Sequence, residues 1–190
     1  MATKRRSGGN GRRARPSRGR SKGGRRDAIS LLKADHRQVE RWFEQFNKAR
    51  AQSRKTELAG SICSALKVHT TIEEEIFYPA FLEAAADQEV HHEAEVEHAG
   101  AKKLIAEIED AGPEDEYFDA RIKVLAEMIR HHVNEEEKPG GMFAKARRAD
   151  MPLVELGEHL AERKSELKAL DAESVEGRRT AGVSKHADMR

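Results

Sequence analysis

The chain has 190 residues, 37% hydrophobic and 36% charged, with one Trp, two Tyr and a single cysteine. That length allows one domain with a sizeable core, and the balance suits Ala-, Glu-, Lys- and Leu-rich helices better than a β-sandwich. One cysteine, Cys63, excludes an intrachain disulfide and a cysteine-based zinc site, and no apolar run approaches the ~20 residues of a membrane span.

The net charge of +1 conceals an asymmetry. Residues 1–26 (MATKRRSGGNGRRARPSRGRSKGGRR) hold eleven Lys or Arg and no acid. The remaining 24 basic residues face all 34 acidic ones, a balance of −10. With nothing apolar to bury, residues 1–26 are expected to be a disordered basic tail. They lack the apolar stretch of a secretory signal or the amphipathic face of a transit peptide. Contact with nucleic acid through phosphates is one reading of the arm; a solubilising tail is the other, because no aromatic interleaves the arginines to stack on bases. A reducing cytoplasm is the expected location.

Helical segments follow in chain order. The first is expected from Asp27, a good N-cap, to about Arg50, with a seam of Ile29, Leu32, Val39, Phe43 and Phe46. The second is expected from about Thr56 to Ala85, bent by Pro79, with a seam of Leu58, Ile62, Leu66 and Ile76. The third starts near Asp87, carries Leu104, Ile105 and Ile108, and stops at Gly112-Pro113. In the fourth, Glu114, Asp115 and Glu116 sit at the positive dipole end, Phe118, Ile122, Leu125 and Ile129 form the seam, and Pro139-Gly140-Gly141 interrupts. A shorter fifth is expected from Pro152, with Asp150 as its cap, to Leu170. The expectation is an all-α, antiparallel up-down-up-down four-helix bundle with an additional C-terminal helix over 27–170, followed by a flexible polar tail at 171–190.

The chemistry lies in what breaks these seams. The 3-4 spacing puts His36 inside helix one, His69 and Glu73 inside helix two, His98 inside helix three, and His132 and Glu136 inside helix four. Burying such groups singly costs several kcal/mol each unless they are paired or coordinated. Buried ion pairs are the bland alternative. Counting from the helix ends at ~1.5 Å per residue puts all four histidines near one level of an antiparallel bundle, where metal sites are built. This count lets helix four resume after the glycine pair. Imidazole and carboxylate without thiolate suit iron or manganese, with zinc a further option. Six ligands fit two metals bridged by Glu73 and Glu136 better than one four-coordinate zinc. A ferritin-like site needs two Glu-x-x-His pairs, and only Glu95-x-x-His98 has that spacing.

DHRQVERWF around His36, HTTIEEEIFYP from His69, EAEVEHAGAKKLI around His98 and HHVNEEE from His131 resemble the hemerythrin HHE cation-binding family. The resemblance implies a di-iron centre held by His36, His69, Glu73, His98, His132 and Glu136. Oxygen-carrying members have a second histidine one turn before the third-helix ligand, where this chain has Ala94. The resemblance therefore implies an open position, a water or a substitute such as Glu95, and redox or sensing chemistry rather than oxygen carriage. Lys138-Pro139-Gly140-Gly141 is expected to loosen that end of the site. His131 is expected outside, His91 near an entrance, and His92, Glu74, Glu75, Glu135 and Glu137 on a solvated rim. Cys63, Trp42 and Phe43 read as packing residues.

The leading functional expectation is a di-iron protein that binds or reduces dioxygen, peroxide or nitric oxide. An iron-responsive sensor without turnover and a nucleic-acid-associated stress protein are the alternatives. Peroxide decomposition is the enzymatic version, although no separate general acid or substrate pocket is legible for it.

Overall fold

Asp27 opens the first helix by accepting a hydrogen bond from the Ser30 amide at 2.7 Å, which satisfies an otherwise orphaned N–H. From that cap the computed structural model describes residues 27–187, with side chains through Glu173. The basic tail at 1–26 and the last residues, 188–190, lie outside the described residues. The elements are α1 (Ala28–Lys48), α2 (Gln52–Ile72), a π-helical turn (Glu73–Phe77), α3 (Tyr78–Ala85), α4 (Gln88–Ala111), α5 (Phe118–Glu137), α6 (Met142–Arg148) and α7 (Leu153–Ala187). Among the described residues there is no strand.

α2, the π turn and α3 form one continuous helix, so the second expected helix is present but locally rewound. Pro79 has no N–H to close a regular turn, and just before it the Tyr78 amide bonds the Glu73 carbonyl, five residues back. The extra residue in that turn moves the buried stripe. Ile76, expected in the seam, is only partly buried, while Phe77, Tyr78 and Phe81 are inside.

Four antiparallel rods result. α1 lies against α2 and α5, and α4 lies against α2 and α5, closing a square. The core has two apolar halves. One contains Val39, Phe43, Phe46, Ile62, Leu66, Ile105, Ile122 and Leu125. The other contains Ile29, Leu32, Ile72, Phe77, Phe81, Phe143, Leu156 and Leu160. Each fully buried side chain of this size contributes about 1.5–3 kcal/mol.

The fourth expected helix does not resume after its glycines. α5 stops at Glu137, and the short α6 is a separate helix that packs against α5 and α3 and buries Met142, Phe143 and Ala146. The loop at Lys138–Gly141 therefore leads into a packed cap rather than loosening the site. Asp150 does not cap α7. With φ at +52° it ends α6 in the left-handed conformation, and the Met151 amide reaches the Ala146 carbonyl as in a Schellman closure. α7 packs across α1 and α2 and continues past Leu170 to Ala187, because no proline follows Pro152 and most of its residues are good helix formers.

Candidate metal centre

Between the two apolar halves lies a polar belt: His36, His69, Glu73, His98, His132 and Glu136 are all buried. The six residues predicted from the seams converge on one layer, each from the helix expected. The rotamers point the four Nε2 atoms inward. His36 Nε2 is 3.0 Å from His69 Nε2, and His98 Nε2 is 3.2 Å from His132 Nε2. Two carboxylates join these pairs. Glu73 Oε2 lies 3.2 Å from His69 Nε2 and 3.4 Å from His98 Nε2. Glu136 Oε2 lies 3.4 Å from His36 Nε2 and 3.8 Å from His132 Nε2. His36, His69 and Glu73, and likewise Glu73, His98 and His132, each bring three potential ligand atoms within 4.8 Å of one another.

The outward Nδ1 atoms all face carboxylates. His36 Nδ1 donates to Glu137 at 2.8 Å, His98 Nδ1 to Glu74 at 3.0 Å and His132 Nδ1 to Glu97 at 2.8 Å. Asp35 sits 3.7 Å from His69 Nδ1, an ion-pair separation beyond hydrogen-bond range. Such partners fix tautomer and ring orientation at metal sites. An ionised carboxylate only accepts, so Nδ1 of His36, His98 and His132 carries a hydrogen, and whenever such a ring is neutral its Nε2 lone pair faces inward. Glu74 and Glu137, expected on a solvated rim, are thus positioning groups. Lys102 holds Glu74, and Lys33 holds Glu137 at 2.9 Å. Asp35 and Glu97 carried no signal in the seams, although each stands one residue before a buried histidine. Glu75 and Glu135 do remain outside, paired with Arg163 and Lys138. His131 is exposed and meets Glu97, and His92 is exposed.

Tyr78 is a further residue that sequence reasoning missed, because only the π turn brings it inside. Its hydroxyl donates to Glu136 Oε1 at 3.3 Å and lies 3.2 Å from His98 Nε2. The partly buried His91 packs edge-on against its ring. Phe143 of α6 stacks parallel to His36 at 5.9 Å. Glu95, the expected substitute for a histidine at Ala94, is exposed and lies 3.5 Å from His91 Nδ1, away from the buried belt. Ala94 is itself buried and borders a cavity of 290 Å³ that also touches His132 and Glu136.

The electrostatics of the belt suit a cation. Burial pushes the His36 imidazole down to about 4, so this ring is neutral near pH 7. Burial would raise Glu73, but His69, His98 and His132 outweigh it and hold the carboxyl at about 2. Burial pushes Glu136 well above the usual carboxylate range, and the Glu73 charge adds to this. His132 is depressed by burial, yet Glu136, Glu97 and Glu73 hold it up at about 9. Both Glu73 carboxylate oxygens and Glu136 Oε2 are buried without a hydrogen-bond partner. Orphaned carboxylate oxygens beside converging imidazoles are what a hard or borderline cation would satisfy.

The fold and this belt define a helical-bundle protein built to hold cations in its core. The family model for the hemerythrin HHE cation binding domain matches residues 27–139, and the chain belongs to that family. A crystal structure of a hemerythrin HHE cation binding domain-containing protein from Mycobacterium kansasii superposes with a TM-score of 0.66. It covers 80% of this chain and 93% of that one at 20% identity, a likeness of fold. A protein named DNA nickase from Nostoc sp. (strain PCC 7120 / SAG 25.82 / UTEX 2576) is 28% identical over 120 residues. That match takes in 62% of this chain but only 32% of the relative, so the chain spans about a third of its length.

Proposed function

We propose that this chain is a cytoplasmic non-haem di-iron protein that binds or reduces a small oxidant: dioxygen, peroxide or nitric oxide. In this reading His36, His69, His98 and His132 would supply imidazole ligands to the two ions, and Glu73 and Glu136, which lie between the histidine pairs, would supply the carboxylates they share. The observation that carries it is the pairing of inward Nε2 atoms across two buried carboxylates, with an outer carboxylate facing every imidazole. Iron supplies one-electron redox chemistry and exchangeable coordination when bound, and the donor set also admits manganese or zinc.

The chain's own residues set what can react. Val39, Leu66, Ile129 and Val133, with Asp35, Thr70 and the four histidines, line a void of 10 Å³, about the space of a single water. Its apolar residues shield the imidazoles on that side only. Burial and the nearby carboxylates hold the Tyr78 phenol well above its usual range, so its hydroxyl stays protonated and aimed at Glu136.

The test is elemental analysis of protein expressed in iron-replete medium, beside the His69→Ala and His132→Ala variants. About two irons per chain in the parent, lost in the variants, is the expected result. Loaded protein whose iron spectra show no bridged centre and do not change with these oxidants would sink the reading. An iron-responsive sensor would instead raise its melting temperature on loading and show no turnover. A nucleic-acid role is favoured by the eleven basic residues of 1–26 and by the relative named DNA nickase. Removing residues 1–26 should then abolish salt-sensitive DNA binding.

A further inference from the structure

The 290 Å³ cavity beside Ala94 lies between α4, the end of α5 and the start of α6. Glu89, Glu93 and Glu97 line it, and His132 and Glu136 stand at its inner side. These three glutamates are spaced four apart on α4 and so form one stripe along the wall. Like charges at this spacing cost a helix about 0.2–0.5 kcal/mol per pair. The dipole compensates Glu89 in the first turn but not Glu93 or Glu97. Helix stability therefore gives no account of the stripe.

The charges of the cavity do not cancel. Asp87 is paired with Lys145, and Glu135 with Lys138. Among the described residues Glu89 and Glu93 have no cationic partner. Glu93, Glu97 and His131 offer three ligand atoms within 4.8 Å of one another. Farther in, Glu97 is bonded to His132, and Glu136 Oε2 is buried without a partner on a side chain only 2% exposed. The cavity of 370 Å³ that touches His36 is different. There Arg37 and Arg130 balance Glu40 and Glu137.

We propose that the Ala94 cavity is the port by which hydrated divalent cations reach the centre, guided by the Glu89–Glu93–Glu97 stripe. This rests on the reading of the belt as a metal centre. An acid-lined cleft raises the local concentration of cations and their rate of capture, and it repels anions. A histidine at position 94 would narrow the passage; alanine leaves it open. Glu93, Glu97 and His131 form the outer stop, and Glu136 with His132 receives the ion within.

The test is stopped-flow uptake of Co²⁺ by the full metal-free chain, followed by cobalt absorption. Glu89→Gln combined with Glu93→Gln should slow the bimolecular phase about three- to tenfold, with unchanged final stoichiometry. The difference should shrink in about 0.5 M NaCl, where the field is screened. Glu44→Gln combined with Glu127→Gln, two exposed acids outside the cavity, should match the parent. Equal rates for parent and stripe variant, with normal cobalt loading in both, would overturn the port and leave the metal centre standing. A parent that takes up no cobalt would overturn both.

Discussion

Glu97→Gln separates what an outer carboxylate contributes to metal affinity from what it does to the proton on its histidine. Glu97 accepts from His132 Nδ1 at 2.8 Å and is shared with His131 at 3.2 Å. Loss of such a partner costs 10–100-fold in metal affinity, or about 1.4–2.7 kcal/mol. A second effect opposes this one. His132 is held at about 9, above the ordinary imidazole value of 6.5, with Glu97 among the groups that raise it. Below about pH 9 a metal must therefore displace a proton from this ring, and above it the competition ends. The variant's His132 titrates lower, so its competition ends sooner as pH rises. The deficit of Glu97→Gln should consequently be smallest near pH 6.5 and widen toward pH 9. Chelator competition for Zn²⁺ or Co²⁺ at pH 6.5, 7.5 and 8.5 measures it directly. Asp35→Asn is the internal comparison, and at 3.7 Å from His69 it should cost less affinity than Glu97→Gln. A gap that narrows with rising pH, or an Asp35→Asn deficit larger than that of Glu97→Gln, would refute the reasoning.

Gly141→Ala puts a Cβ 2.3 Å from the Glu135 carbonyl oxygen and 2.9 Å from that of Glu136, so the end of α5 must move and metal affinity should fall. Gly140→Ala meets open space at a φ of +83° and should cost about 1–2 kcal/mol of stability with affinity intact; the reverse ranking in unfolding and metal titrations would count against this account. Tyr78→Phe strips Glu136 Oε1 of its donor, and urea unfolding of metal-free protein should register a loss of about 1–3 kcal/mol. Leu160→Ala on α7, at a fully buried position, should cost about 2–5 kcal/mol. Val154→Ala, at 47% exposure, should stay within about 0.5 kcal/mol; equal effects in thermal melts would mean that α7 does not dock as described.

The six belt residues were legible in the sequence because a bundle seam wants apolar side chains every three or four positions. An ionisable residue there stands out against Leu32, Leu66, Ala101 or Ile129. Helix starts were legible where chemistry announces them, as at Asp27 and Asp87, whose side chains accept from the Ser30 and Val90 amides. The seam after Glu73 was not, because a π turn alters the 3.6 period and no pattern counted at that period passes through it. That is why Ile76 was expected inside and Tyr78 was overlooked.

Burial periodicity also says nothing of which half-exposed acid touches which ring. Glu74, Glu97 and Glu137 read as surface charge along their own helices. They become positioning groups only because a neighbouring helix presents an Nδ1 atom at 2.8–3.0 Å. The sequence by itself determined the helices, their apolar stripes and the identity of the inward His and Glu residues, since these follow from local spacing and the cost of burying charge. Tertiary structure alone decided how the imidazoles pair, which carboxylates steer them and where the cavity opens. Each of these depends on distances between helices, which no single helix encodes.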